Sequence, residues 1–358
     1  MKKIVMTGGG TSGHVTPNIA LLPRLKEAGY EIFYIGSENG MEKQLIEHEG
    51  IPYHAINTGK LRRYFSLKNI TDIFRVMDGF RQARTILRRI RPDIVFSKGG
   101  FVSCPVVWAA WACKIPVVIH ESDMTPGLTN KLSMPFAKKV CYAFPESGEH
   151  IPQNKGILTG IPIRQAILDG KESLGAKLCG FESAKPVLMV IGGSQGAARI
   201  NQAVRDNLDA LLKDFNICHI CGDGNVDVKY ESIRGYRQYE YVRDELPHLF
   251  ALSDAVISRA GATTLFELLA LKKPNLLIPL SKHASRGDQI LNADSFKRQG
   301  FSMVVDEDEL SGNSLIAGIK SVFDRKDEFK AAMGKSQFQN GTEEIIRMIE
   351  QYSKSGKQ

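Results

Sequence analysis

The chain repeats one local pattern, an apolar run that ends in glycines and opens into a segment of helical period. The first copy is Lys3-Ile4-Val5-Met6-Thr7 followed by Gly8-Gly9-Gly10-Thr11-Ser12-Gly13-His14. The second is Val187-Leu188-Met189-Val190-Ile191 followed by Gly192-Gly193-Ser194-Gln195-Gly196-Ala197. Apolar runs without polar alternation fit strands buried on both faces, as in a sheet covered by helices on both sides. Further strands are expected at 32–35, 94–97 and 116–120 in the front half and at 216–220, 255–258 and 275–278 in the back half. A helix is expected from 198 to 212. Alternating strands and helices imply parallel sheets. A length of 358 residues exceeds what one core serves, so an α/β architecture of two doubly wound, Rossmann-like domains facing across a cleft is expected. The joint is expected where Pro, Gly and charged residues interrupt the pattern between Gly160 and Pro186. The division is drawn as 1–163 and 164–340, with 341–358 holding a periodic segment, 343–352, for a last helix. The sequence leaves open which domain that helix packs on, the first being one option.

Charge is distributed unevenly between these halves. Residues 1–163 hold 21 Lys and Arg against 13 Asp and Glu, whereas 164–358 hold 26 of each, so the front half carries the whole excess of +8. Residues 60–91 alone hold ten basic and two acidic residues. Such a surface favours anionic partners, among them phosphates and acidic lipid headgroups. Within 69–91, Ile70, Ile73, Phe74, Met77 and Phe80 recur at helical spacing among Arg75, Arg81, Arg84, Arg88 and Arg89. That pattern describes an interfacial membrane helix, or a core-facing helix with a solvated basic face. Trp108 and Trp111 are candidates to assist at a membrane. No apolar run is long enough to span a bilayer, and the apolar stretch at the amino terminus is too short for a signal peptide. Six cysteines lack the density of a secreted disulfide scaffold, which points to a cytoplasmic protein.

The glycine turns carry the chemistry. Glycine lets the backbone bend tightly and approach a ligand, and the N–H groups at a following helix start attract anions. A second front-half turn, Ser97-Lys98-Gly99-Gly100-Phe101-Val102-Ser103, also ends a strand, and two such turns suit an extended group such as a pyrophosphate. Ordinary turn chemistry accounts for either alone. His14, at the entrance of the first helix, has a side chain that titrates near neutrality and suits a general base, although a lone histidine is more often structural. In the back half, Ser194 and Gln195 lie in the third turn. Arg259-Ala260-Gly261-Ala262-Thr263-Thr264-Leu265-Phe266-Glu267 follows another strand, offering backbone N–H groups from Gly261 to Thr264 and a carboxylate for ribose hydroxyls at Glu267. The bland reading of Glu267 is a helix-start carboxylate favoured by the dipole.

These motifs, together with His120-Glu121-Ser122-Asp123 and Asp288-Gln289, occur in the order found in the MurG glycosyltransferases, and the chain resembles that family over nearly its whole length. The resemblance implies the GT-B architecture. It also implies inverting transfer of N-acetylglucosamine from UDP-N-acetylglucosamine to the C4 hydroxyl of lipid I, the undecaprenyl-pyrophosphoryl-N-acetylmuramyl-pentapeptide, to give lipid II for peptidoglycan. It places the protein peripherally at the cytoplasmic face of the bacterial plasma membrane, on anionic phospholipid. By the same resemblance His14 is the general base, Thr11, Ser12 and Gly13 border the sugar and the acceptor pyrophosphate, and Asp123 contacts N-acetylglucosamine. Arg164, Ser194 and Gln195 contact the nucleotide with Ala262, Thr263 and Thr264. Val242 meets the uracil, Glu267 the ribose and Gln289 the donor sugar. Gly10, Gly99, Gly100 and Ser103 serve the acceptor pyrophosphate. Asp123 and Asp288 depart from the Asn and Gln of some members.

No cofactor and no metal are expected. Asp306-Glu307-Asp308 contains the D-x-D spacing of metal-dependent glycosyltransferases, but beside no phosphate turn it reads as a solvated loop. Cys218-His219-Ile220-Cys221 lies inside an apolar run and reads as buried thiols in a strand. The alternatives are another GT-B enzyme with a different lipid acceptor, or a UDP-N-acetylglucosamine 2-epimerase. A Rossmann oxidoreductase is disfavoured because Ser37, not an acidic residue, follows the second strand, leaving only Glu38 beyond it. A nucleic-acid-binding role ranks last, since the basic stretch has few interleaved aromatics.

Overall fold

The computed structural model describes residues 2–59, 68–193, 196–283, 287–337 and 340–354, with the side chains of residues 12 and 68–73 outside that description. The chain divides into two compact units, Met1–Arg164 with Asn340–Gln358, and Gln165–Gln339.

The first unit is built on seven parallel strands: β1 (Lys2–Thr7), β2 (Tyr30–Ser37), β3 (Tyr53–Ile56), β4 (Ile94–Ser97), β5 (Val117–Glu121), β6 (Lys139–Tyr142) and β7 (Gly156–Leu158). Their order is β3-β2-β1-β4-β5-β6-β7. The chain therefore winds outward from β1 in one direction, then returns to β1's other side at β4. Successive side chains of a strand point to opposite faces. Ile4, Met6, Ile94 and Phe96 accordingly join one core, while Val5 and Val95 join the other. The first core is covered by the helix Ser12–Glu27 and the last helix, Thr342–Tyr352, which contributes Ile345, Ile346, Met348 and Ile349. The second is covered by the helices Lys68–Ile90 and Ser103–Ala112.

The second unit has six parallel strands: β8 (Val187–Ile191), β9 (Asn216–Ile220), β10 (Tyr236–Tyr239), β11 (Ala255–Ser258), β12 (Asn275–Leu277) and β13 (Met303–Val304). Their order, β10-β9-β8-β11-β12-β13, repeats the winding of the first unit. The helix expected over 198–212 is two, Ala198–Asp206 and Leu208–Asp214, parted at Asn207, whose side-chain amide donates to the Ala203 carbonyl at 2.8 Å. Asparagine competes with the helix in this way through its own side chain. Five strands that patterning misses, β3, β6, β7, β10 and β13, are short, and four of them hold partly exposed polar or isolated residues near a sheet edge. Their burial is too incomplete to write a continuous apolar run.

Candidate active site

Open α/β sheets bind ligands beyond the carboxyl ends of the strands where the winding reverses. In the first unit that point lies between β1 and β4, and both strands end there in glycine turns. The turns interlock. A Cβ on Gly100, whose φ is +85°, would strike the Gly9 carbonyl, and one on Gly10, at φ +91°, would stand 2.7 Å from the Phe101 ring. Gly10, Gly99 and Gly100 are thus gathered in one place by backbone packing.

Buried polar side chains hold these turns. The Tyr34 hydroxyl donates to the Gly8 carbonyl at 2.7 Å and accepts from the Asn18 amide at 3.0 Å. Glu42, fully buried, accepts from the backbone N–H groups of Gly10 at 3.2 Å and Ser37 at 3.1 Å, and from the Ser37 hydroxyl. The Ser103 hydroxyl donates to the Gly99 carbonyl at 2.6 Å, so it fastens the second turn from within. Thr11 stands exposed at the start of the helix Ser12–Glu27, with Gly13 and His14 in its first turn; the Ser12 side chain lies outside the described residues. Glu42, Tyr34 and Asn18 were not legible as site residues, because the turn they hold is remote in sequence from Glu42 and Tyr34.

Beside this turn, β5 delivers His120, Glu121, Ser122 and Asp123. His120 is buried and donates from Nε2 to the Gly160 carbonyl at 2.8 Å, which makes Nδ1 the acceptor facing the Lys98 ammonium, also at 2.8 Å. Lys98 donates to the Ser122 hydroxyl as well. Burial, reinforced by Lys98, holds the His120 imidazole far below its ordinary pKa and so neutral. Burial pulls Lys98 down to about 8, against the opposing pull of Glu121 and Asp123. Glu121 accepts from the N–H groups of Asp123 and Gly127 at 3.0 Å each and from the Asn130 amide at 2.8 Å. Burial and the neighbouring Asp123 raise the pKa of Glu121. Arg164 ends the first stretch of this unit, where the chain passes to the second.

In the second unit the equivalent reversal lies between β8 and β11. Gly192 and Gly193 follow β8, and Gly196, at φ +75°, lies so close to the Cys221 carbonyl that a Cβ would strike it. Ser194 and Gln195 lie outside the described residues. Two helices start at this edge, Ala198–Asp206 and Ala262–Ala270, neither with a side-chain cap bond, and the first N–H groups of such helix starts can receive an anion. Ala262, Thr263 and Thr264 form the first turn of the second helix, and Glu267 sits one turn on, buried. Val242 is buried beyond the end of β10.

The loops that follow β11, β12 and β13 are tied together. Gln289 accepts from the Leu280 N–H at 3.0 Å, and Asn292 donates to the Ala260 carbonyl at 3.3 Å. Arg259 reaches the Ile278 carbonyl at 3.1 Å and pairs with Glu307, which also accepts from the Ser281 N–H at 3.0 Å. This corrects the reading of Asp306-Glu307-Asp308 as a solvated loop: the two aspartates are exposed, but Glu307 is only 4% exposed. Asp308 pairs with Arg199 at the surface at 3.2 Å. A motif scan sees three acids and cannot see which one meets an arginine 48 residues away. Cys218 and Cys221 are buried free thiols, Cys218 within β9 and Cys221 just after it. Between them, burial and Arg205 lower His219 to about 3, where it bonds the Tyr236 hydroxyl at 2.7 Å and Asn201 at 3.0 Å.

The helix Lys68–Ile90 carries two apolar faces. Val76, Ala83, Leu87 and Ile90 are buried in the core with Phe80 packed against it, whereas Phe74 and Met77 are 72% and 48% exposed. Ile70 and Ile73 lie outside the described side chains, as do the basic residues at 60–63 and Lys68. Trp111, on the adjoining helix Ser103–Ala112, is 59% exposed, and Trp108 donates to the Leu132 carbonyl at 3.3 Å. Among the described residues no helix is long and apolar enough to cross a membrane.

The same architecture occurs in the crystal structure of Acinetobacter baumannii MurG, which superposes with a TM-score of 0.78 at 23% identity, covering 98% of this chain and 100% of that one. At the sequence level, residues 4–142 match the glycosyltransferase family 28 N-terminal domain and residues 187–349 the family 28 C-terminal domain. The UDP-N-acetylglucosamine--N-acetylmuramyl-(pentapeptide) pyrophosphoryl-undecaprenol N-acetylglucosamine transferase of Clostridium tetani is 55% identical over 351 residues, covering 98% of each chain. Its counterpart from Clostridium botulinum strain Hall is 56% identical over 354 residues, covering 99% of this chain and all of that one. Glycine turns at the winding reversal of each unit and identity at this level along the whole chain lead to one conclusion: the chain belongs to glycosyltransferase family 28 and, within it, to the MurG transferases.

Proposed function

We propose that this enzyme transfers N-acetylglucosamine from UDP-N-acetylglucosamine to lipid I, forming lipid II. The observation that carries the reading is end-to-end identity above one half with transferases of that activity, joined to glycine turns at the winding reversal of each unit. The first unit takes the acceptor. The backbone of Gly10, Gly99 and Gly100 receives its pyrophosphate, with Ser103 keeping the turn in shape. The second unit takes the donor. Its nucleotide phosphates meet the turn containing Ser194 and Gln195 and the helix start at Ala262, Thr263 and Thr264, while Glu267 holds the ribose and Val242 the uracil. Arg164 adds a charge toward the nucleotide. Gln289 spends its carbonyl on Leu280, which leaves its NH2 to donate to the sugar.

His14 takes the proton from the acceptor C4 hydroxyl as its oxygen attacks the anomeric carbon, with Thr11, Ser12 and Gly13 bordering the sugar and Asp123 on N-acetylglucosamine. The bond to UDP breaks on the opposite face, so configuration inverts. Charge growing on the departing diphosphate is offset by the N–H groups of the two helix starts, which need no reorganisation at the moment of reaction. The exposed Phe74, Met77 and Trp111, with the arginines around them, rest the first unit on anionic lipid at the cytoplasmic face, where the acceptor resides.

Transfer of labelled N-acetylglucosamine to a short-chain lipid I analogue, with and without EDTA, tests this. Product under both conditions is expected. Loss with EDTA would keep the reaction and overturn its metal independence. Isomerised donor without transfer would redirect the assignment to an epimerase, and donor binding with neither outcome to another acceptor.

A further inference from the structure

Lys98 ends the run from β4 into the second glycine turn and is 1% exposed. A buried ammonium is strongly disfavoured unless countercharges and hydrogen bonds replace its water. Its direct partners, His120 Nδ1 and the Ser122 hydroxyl, are both neutral. Among the described residues no carboxylate lies within ion-pair distance of it. Two stand near enough to stabilise the charge, Glu121 and Asp123. Glu121 already collects three hydrogen bonds, two from backbone N–H groups and one from Asn130, that fix it within its own loop. Asp123 is the next residue after Ser122, which Lys98 grips directly. The Asp123 N–H is in turn held by Glu121, and its carbonyl accepts from the Ser147 hydroxyl at 3.3 Å. The loop is therefore anchored at 122, at the 123 backbone and at 130, with the buried Lys98 ammonium against it.

We propose that Lys98 is a positioning residue for the donor sugar: through its grip on Ser122 it holds the adjoining Asp123 so that the carboxylate is aimed as an acceptor for hydroxyls of N-acetylglucosamine. The two residues form one unit. Removing the lysine releases Ser122 and takes a positive charge from near Glu121 and Asp123, and removing the Asp123 carboxylate leaves the buried ammonium with less negative charge nearby. This rests on the role proposed for Asp123 in binding the donor, and not on the identity of the acceptor.

Equilibrium binding of UDP-N-acetylglucosamine and of UDP to the full chain tests it, because donor affinity stays readable whatever the acceptor proves to be. The variants are Lys98→Met, Asp123→Asn and the double variant. Each single change is expected to weaken UDP-N-acetylglucosamine about tenfold and leave UDP unchanged. The double variant is expected to be about as weak as Asp123→Asn alone, roughly tenfold rather than a hundredfold below the parent, because Lys98 acts only through Asp123. Additive losses in the double variant would overturn the proposal. So would equal weakening of UDP and the UDP-sugar, or coupling confined to melting temperature, each the mark of a merely structural pair. Failure of lipid I transfer with the donor cycle intact would sink the acceptor assignment alone.

Discussion

Two side chains in the first unit have measurable consequences on their own. His14→Ala is expected to lower kcat by about 10²–10⁴-fold, the usual worth of a positioned general base, with donor affinity near that of the parent. Single-turnover kinetics with saturating donor check this, and near-normal turnover would remove His14 from the mechanism. Lys98 has a pH signature. Burial lowers it from 10.5 to about 8, so between those values the unfolded chain binds the additional proton. Stability then rises with pH across that window as the destabilising buried charge is lost. Melting temperatures of the parent should climb relative to Lys98→Met from pH 8 upward. Parallel curves would show that the neighbouring carboxylates fully compensate the charge. His14 stands in a motif, so its proposed role can be raised from the sequence alone. Lys98 was visible as part of a glycine turn, yet nothing local distinguishes a lysine that reaches solvent from one folded inward onto His120 and Ser122.

At the scale of elements, the turns tolerate almost no added volume. Gly100→Ala forces a Cβ into the Gly9 carbonyl at a φ of +85°, so both strain and collision act together. The expected result is loss of most transfer activity with UDP binding retained, since the damage lies in the first unit. Isothermal titration with UDP alongside the transfer assay separates the two. The helix Lys68–Ile90 offers the other elemental test. Phe74→Ser with Met77→Ser should reduce sedimentation with anionic vesicles and leave turnover on a short-chain soluble acceptor analogue intact, because neither side chain is part of the core. Equal binding of parent and variant would place the lipid contact elsewhere. Helical spacing flagged both residues but grouped them with Phe80. Periodicity registers apolar positions without saying which neighbour covers them, and here Phe80 packs against the core whereas Phe74 and Met77 lie outside it.

For the molecule as a whole, the last helix decides how the chain is organised. Thr342–Tyr352 follows the second unit in sequence but seals the first, with Ile345, Ile346, Met348 and Ile349 buried among residues of β1, β2 and β4. Its Glu343 meets Arg24 at the surface at 2.7 Å, an exposed pair that adds little. Apolar burial is what matters, at roughly 1.5–3 kcal/mol for each large side chain. Truncation after residue 340 should therefore unfold or severely destabilise the first unit while the second still binds UDP. Retention of two cooperative transitions at their parental temperatures would contradict this.

By itself the sequence determined the winding of both sheets and the position of the glycine turns, because central strands buried on both faces must be written as apolar runs and tight turns at their ends demand glycine. Motif order along the chain identified the family for the same reason, since its motifs are local to those turns. The tertiary structure alone decided the edge strands, the burial of Glu307 on Arg259, the grip of Glu42, Tyr34 and Asn18 on the first turn, and the pairing of Lys98 with the loop that carries Asp123. Each of these joins residues distant in sequence, and a buried polar group gains its partner only when the sheet brings the two together.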